Sequence, residues 1–338
     1  MQIEHPYLLF LGDVPDALAA KTATGIVDWR KDWCAGQLRL EGCAADTGLP
    51  DITTAEAKAK GVKTMVVGAV NAGGRLPDHW VASIVEALDA GLDVASGLHV
   101  RLGSIPAIQE AAQRNGRQLF DVRQNTETFK TGKGTKRKGM RILAVGTDCS
   151  VGKKYTALAM DKAMSERGYK SSFCATGQTG VFISGRGVAL DAVIADFIAG
   201  AAEWISPDTD ADHWQIVEGQ GSLFHPSFAG VTLGLLHGSQ PDGFIVCHEP
   251  TRKTMRGVDT PLPTIQQVID LTIQCGQLTN PGIRCIGIAV NTAALSEDEA
   301  KSYLEKVSAE HAGLPATDPV RFGMEAIVDK VASEFGAP

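Results

Sequence analysis

The stretch from Arg141 to Gly168 limits the possible folds of this chain more than any other. Arg141-Ile-Leu-Ala-Val145 has the apolar content of a buried strand, and Tyr155–Arg167 reads as a helix closed by Gly168. Between them Gly146, Thr147, Asp148, Cys149, Ser150, Val151 and Gly152 form a glycine-framed loop, followed by Lys153 and Lys154. A strand that passes through such a loop into a helix belongs to an α/β layer structure with a parallel sheet. The glycines let the loop curl until several backbone N–H groups face inward. The helix N-terminus adds partial positive charge and Lys153 a full one, so the loop suits a phosphate or pyrophosphate. Residues 146–155, ending at Tyr155, are the expected cofactor-binding set.

In loops that cleave nucleotides, the residue after the lysine is Ser or Thr, whose hydroxyl holds magnesium. Here it is Lys154, and the next Ser or Thr, Thr156, lies two positions further along the helix. A second ammonium keeps the attraction for phosphate and offers a metal no ligand. The loop is expected to bind phosphates without cleaving them and without an obligatory metal.

Before the loop, strand-like and helix-like runs alternate. Tyr7–Leu11 reads as a strand and Asp16–Thr24 as a helix. Helix-like Thr54–Lys60 precedes the apolar Thr64–Val70, Trp80–Ala90 precedes Leu92–Ala95, and Ile105–Asn115 precedes Gln118–Val122. Repeated βα units predict a Rossmann-like, doubly wound domain over residues 1–130. The basic stretch 131–139 has little to bury and marks a boundary. It reads either as a solvated linker or as a segment whose Lys136, Arg137 and Lys138 help to hold an anionic cofactor. Residues 140–338 then form the second doubly wound domain, built on the phosphate loop.

Charge and cysteine content narrow the partners. Lys and Arg number 32 against 39 Asp and Glu, and 32 − 39 = −7 argues against coating a nucleic acid. No apolar run approaches the roughly 20 residues of a membrane helix. The start, Met-Gln-Ile-Glu-His-Pro, lacks the basic residues of a secretory signal, so a cytoplasmic protein without a membrane partner is expected. Seven cysteines include no zinc-type spacing and are read as reduced thiols, with no metal centre. The expected partner is a small molecule, and symmetric homo-oligomers are common for two-domain enzymes of this size.

Three further strand ends point to the rim that carries the phosphate loop. Trp214-Gln-Ile-Val217 leads into Glu218 and a Gly-rich turn that reaches His225. Phe244–His248 is followed by Arg252, Lys253 and Arg256, and Cys285–Val290 ends in Asn291. Gln178 follows a strand ending at Ala175, while Arg75 sits beyond the apolar run of the first domain.

The order Gly146-Thr147-Asp148 to Gly152-Lys153, then Val217-Glu218-Gly219, then Val290-Asn291 resembles the P-loop carboxylation ligases that include dethiobiotin synthetase, apart from Lys154 in the threonine slot. Over the whole chain, Gly-Thr-Asp-Cys-Ser-Val-Gly-Lys-Lys-Tyr-Thr and Val-Glu-Gly-Gln-Gly-Ser-Leu-Phe-His-Pro, behind a Rossmann-like front half, resemble the bacterial D-glutamate N-acetyltransferase family, whose members have also been read as NAD-dependent epimerases or dehydratases. The resemblance implies acetyl-CoA as co-substrate and the amine of an acidic amino acid as acceptor. An ATP- and magnesium-dependent ligase or kinase is the alternative, and a nucleotide-binding regulator a third.

The residues favour acetyl-CoA over NAD. A dinucleotide fold places G-x-G-x-x-G after its first strand, whereas this turn reads Leu11-Gly-Asp-Val-Pro-Asp16, with one glycine and two carboxylates. Coenzyme A carries a diphosphate that the loop and its lysines suit. Acetyl transfer to an amine needs a base, donors for the oxyanion and cations for the substrate carboxylates. Glu218 is the first candidate base and His225 the second. Arg252, Arg256 and Arg75 are the candidate carboxylate ligands, and Gln178 supplies amide contacts.

Overall fold

The computed structural model describes residues 3–17, 19–69, 76–125 and 127–338. Leu18, inside the expected helix Asp16–Thr24, and Val70 to Arg75, including the candidate ligand Arg75, lie outside the described residues. The chain divides into two compact units, Met1–Glu127 with Gln178–Ala192, and Thr128–Gly177 with Val193–Pro338.

In the first unit, strands β1 (Tyr7–Gly12), β2 (Cys34–Arg39), β3 (Thr64–Val67), β4 (Asp93–Ser96) and β5 (Leu119–Asp121) form a parallel sheet in the order β2-β1-β3-β4-β5. Helices α1 (Lys21–Arg30), α2 (Thr54–Ala59), α3 (Trp80–Asp89) and α4 (Pro106–Asn115) alternate with them. β1 is buried along its whole length, as a central parallel strand covered on both faces must be. α1 begins later than the sequence pattern suggests, because Pro15 and Asp16 form a turn in which the Asp16 carboxylate accepts from Ala19 N at 2.8 Å. β2 had no periodic signal in the sequence. Its buried Gln37 is satisfied by Asp46 and Thr47, so polarity hides an interior position.

The glycine at the end of β1 is closed off. A Cβ on Gly12, at φ +61°, would lie 2.2 Å from the Trp80 indole, which donates to Asp13 at 2.7 Å.

The second unit begins with β6 (Met140–Gly146), α5 (Lys153–Glu166) and β7 (Lys170–Cys174). The chain then leaves it for α6 (Gln178–Ser184), which belongs to the first unit and departs from the expected unbroken second domain. The reason is the apolar run Val181-Phe182-Ile183, buried where α6 packs on α1, with Tyr7 Oη donating to the Phe182 carbonyl at 3.3 Å. The second unit resumes with α7 (Ile198–Ile205), β8 (His213–Val217), α8 (Ala229–Ser239), β9 (Gly243–His248), α9 (Ile265–Gly276), β10 (Arg284–Val290), α10 (Glu297–Glu310), β11 (Ala316–Thr317) and α11 (Glu325–Phe335). Its parallel sheet has the order β11-β10-β9-β6-β8-β7. β6 lies between β8 and β9, so the loops after these three strands meet at the point where the strand order reverses.

The basic stretch before β6 is exposed over residues 131–136 and at Lys138, yet two of its cations are tied to the second unit. Lys136 pairs with Asp242 at 2.6 Å, and the Arg137 guanidinium donates to the carbonyls of Ser206 at 2.8 Å and Gly238 at 2.7 Å. Arg141, the second residue of β6, is fully buried and donates to the carbonyls of Lys138, Gly139, Ser206 and Pro207. A buried guanidinium requires such acceptors, and the stretch 137–139 wraps to provide them.

Candidate active site

The loop of residues 146–152 leads from β6 into α5 as expected, and its side chains are mostly turned inward. Thr147 and Asp148 are fully buried, and Lys153 is 6% exposed. Lys153 Nζ donates to the Asp148 carbonyl at 2.7 Å, and its burial lowers the ammonium pKa. Thr147 Oγ1 lies 3.1 Å from His248 Nδ1. Burial pushes His248 down to about 4, so the ring is neutral near pH 7, and Nδ1 and the threonine hydroxyl share one hydrogen bond. Cys149 lies at the loop's turn, but burial raises its thiol, the opposite of what an activated nucleophile needs.

Asp148 anchors the loop. Its Oδ1 accepts from Cys149 N at 2.6 Å, and its Oδ2 accepts from Arg252 Nη1 at 2.6 Å and from Arg256 N at 2.8 Å. Arg252 also donates to the Cys149 carbonyl at 2.7 Å and lies 3.5 Å from Glu249. Its guanidinium is thus committed to the loop. Arg256 is exposed and donates through Nη1 to Ser150 Oγ at 2.5 Å. Both arginines stand at the loop, as the strand-end pattern suggests, with different freedom to meet a ligand.

Glu218 follows β8 and is 4% exposed. Its Oε2 accepts from Thr176 N at 3.0 Å and Gly177 N at 3.1 Å, and its backbone carbonyl accepts from Thr176 Oγ1 at 2.7 Å. Burial lifts the carboxyl from 4.5 to about 7; the charges of Lys154 and Lys153 and the two amide bonds limit the rise. A carboxyl held rigidly and titrating near neutrality can both take and release a proton. Gly219 allows this placement: a Cβ there would lie 1.6 Å from the Ala144 carbonyl oxygen of β6 and 2.9 Å from Lys153 Cδ.

His225 is close by but differently used. Its Nδ1 accepts from Ser227 N at 3.1 Å, which places the proton on Nε2, and Nε2 donates to the Arg256 carbonyl at 3.0 Å. With both nitrogens bonded to backbone in a 1% exposed ring, His225 braces the turn and has no lone pair open to a substrate. Ligand atoms of Asp148, Cys149 and His225 lie within 4.8 Å of one another. The Arg252 cation on Asp148 and the backbone bonds of His225 already occupy the groups a metal would need.

Gln178 lies in the first unit, where its Oε1 is buried against Gly97 without a hydrogen-bond partner. The sequence pattern placed it beside Gly177, whose amide binds Glu218; the unit boundary falls between the two residues. A cavity of about 190 Å³ opens beside the loop, lined by Val151, Tyr155, Val290, Asn291, Pro319 and Val320. Asp318 on its wall was missed in the sequence. Asp318 accepts from Thr292 N at 2.9 Å and Thr292 Oγ1 at 2.6 Å, joining the ends of β10 and β11. The Asp-Pro pair at 318–319, a turn signal after a short strand, was the available clue.

Two family models match the chain. "Domain of unknown function (DUF1611_N) Rossmann-like domain" covers residues 38–125, and "Domain of unknown function (DUF1611_C) P-loop domain" covers residues 128–328. A curated relative from Tritonibacter scottomollicae, named D-glutamate N-acetyltransferase, is 53% identical over 98% of this chain and 99% of its own length. Another of the same name, from a Pseudoalteromonas species, is 49% identical over 97% of this chain and 99% of its own. Among solved structures, that of a DUF1611 family protein from Anabaena variabilis superposes with a TM-score of 0.84 at 31% identity, covering 98% of this chain and all of that one. With a Rossmann-like unit, a phosphate loop and these full-length matches, the chain belongs to the DUF1611 family.

Proposed function

We propose that this protein transfers the acetyl group of acetyl-CoA to the amine of D-glutamate. The observation that carries the proposal is the match, along nearly the whole chain, to two curated relatives named D-glutamate N-acetyltransferase. The choice of the D substrate rests on those names. The choice of acetyl-CoA rests on the loop, whose amides and Lys153 suit a diphosphate, and on the apolar cavity beside it, which suits an adenine ring.

In the proposed reaction Glu218 takes a proton from the substrate ammonium. The freed amine attacks the thioester carbonyl to form a tetrahedral oxyanion, whose nitrogen passes its second proton to water as the intermediate collapses and the C–S bond breaks. The thiolate of coenzyme A leaves and is protonated from the carboxyl, and N-acetyl-D-glutamate remains. A base near pKa 7 suits both transfers. Arg256, exposed beside the loop, is the proposed ligand of a substrate carboxylate. Arg252 serves it indirectly by holding Asp148.

The test is release of coenzyme A thiol, followed with a disulfide dye, from acetyl-CoA plus D-glutamate, with L-glutamate and D-aspartate as controls. Thiol release matched by N-acetyl-D-glutamate in the mass spectrum is expected. Thiol release that is indifferent to the amino acid, or absent, overturns the reading.

A further inference from the structure

A phosphate loop of this fold class ordinarily works with magnesium, and the oxygen donors here do not fit it. The slot after Lys153 holds Lys154 instead of a hydroxyl residue. Thr156, the next Ser or Thr along α5, is buried and accepts from Cys247 Sγ at 3.3 Å. Thr147 Oγ1 is bonded to His248, and Ser150 Oγ to Arg256. Each carboxylate oxygen of Asp148 accepts from a protein donor, one of them the Arg252 guanidinium. Glu218 Oε2 is held by two backbone amides, and the Lys154 ammonium is near enough for its charge to act on that carboxyl.

These details share one physical pattern: the Arg252 guanidinium is bonded to Asp148, and the charge of Lys154 acts on Glu218. A hard dication needs several oxygen ligands and pays heavily for approaching an ammonium or guanidinium at low dielectric. We infer that Lys154 and Arg252 are built-in counter-ions standing where magnesium stands in nucleotide-cleaving loops, so that the site selects phosphates that arrive without metal. Lys154 is the specificity-determining residue, because it replaces the metal ligand itself. Arg252 completes the exclusion by closing Asp148. A diphosphate such as that of coenzyme A enters this field as the free anion, whereas a magnesium nucleotide brings a cation into it. That the selected ligand is coenzyme A rests on the acetyltransferase reading; the exclusion of metal does not.

The experiment is calorimetric titration of the full chain with coenzyme A and with ATP, each in excess EDTA and in excess magnesium. The expected result is a coenzyme A affinity that magnesium leaves unchanged. ATP should bind about tenfold more weakly with magnesium, or not at all in either buffer, as expected when a dication meets fixed ammonium charge. Lys154→Thr should reverse the sign, so that magnesium strengthens ATP binding. Lys154→Met, which removes charge without adding a ligand, should only relieve the magnesium penalty. The melting temperature is read first, and the wild-type arms stand alone if neither variant folds. Magnesium that strengthens the binding of either ligand to the wild type overturns the inference. Loss of coenzyme A binding alone, with ATP still preferring EDTA, would sink the acetyl-CoA reading and leave the role of Lys154 standing; a chain that binds neither ligand sinks both.

Discussion

Replacing Glu218 with Gln should change how stability depends on pH as well as abolish most of the activity. Burial raises this carboxyl from 4.5 to about 7. The difference, 7 − 4.5 = 2.5 pH units, is worth about 3 kcal/mol at 1.36 kcal/mol per unit. Because the folded value is the higher one, the folded state holds a proton that the unfolded chain releases between pH 4.5 and 7. Stability therefore falls as pH rises through that window, and about 2.5 kcal/mol of the fall lies between pH 5 and pH 8. Glutamine keeps an oxygen for the Thr176 and Gly177 amides and cannot ionise. In scanning calorimetry the melting temperature of Glu218→Gln, relative to wild type, should climb by about 3–6 °C from pH 5 to pH 8. The same variant should lose about 10²–10⁴ in kcat, with coenzyme A affinity retained. A difference in melting temperature that stays constant across pH would mean an ordinary carboxyl and would remove the physical basis for Glu218 as a base.

Arg252→Ala should cost about 3–5 kcal/mol, because it strands the buried Asp148 carboxylate; Asp148→Asn in the same chain should recover part of the loss in a double-mutant cycle. An unchanged melting temperature with a raised KM for glutamate would reassign that arginine to the substrate. His225→Asn should lower stability by about 1–3 kcal/mol through lost buried hydrogen bonds, yet leave the acid limb of the kcat profile in place and kcat within about tenfold. A kcat loss as large as that of Glu218→Gln would return His225 to the chemistry. Gly219→Ala forces a Cβ to 1.6 Å from the Ala144 carbonyl oxygen and should cost about 3 kcal/mol or more. It should also weaken coenzyme A binding by displacing Lys153; thermal shift and calorimetry would expose an unperturbed variant at once.

Local chemistry made much of this protein legible from its sequence. The run from Arg141 to Gly168 specifies strand, loop and helix through neighbours only a few residues apart, and β6 and α5 lie where that pattern puts them. Lys154 in the metal-ligand slot is visible at a single position, as is the mismatch between the Gly12 turn and a dinucleotide fingerprint. Glu218 could be named because a polar residue at the end of an apolar strand in a parallel sheet has one edge to face.

Tertiary structure decided what each named residue does. Sequence alone names Glu218 as the first candidate base and His225 as the second, with nothing but position to separate them. They part company because Ser227 N and the Arg256 carbonyl claim both imidazole nitrogens, while burial with two amide donors leaves the carboxyl titrating near 7. Lys136 and Arg137 look like a free basic run until Asp242, Ser206 and Gly238, about a hundred or about seventy positions away in the chain, are brought beside them. α6 follows β7 without any break in composition, yet joins the first unit because its apolar face finds α1 there. Spacing in a sequence encodes neighbours along one strand or helix turn, whereas hydrogen-bond partners and the desolvation that shifts a pKa come from segments joined only by the folded sheet.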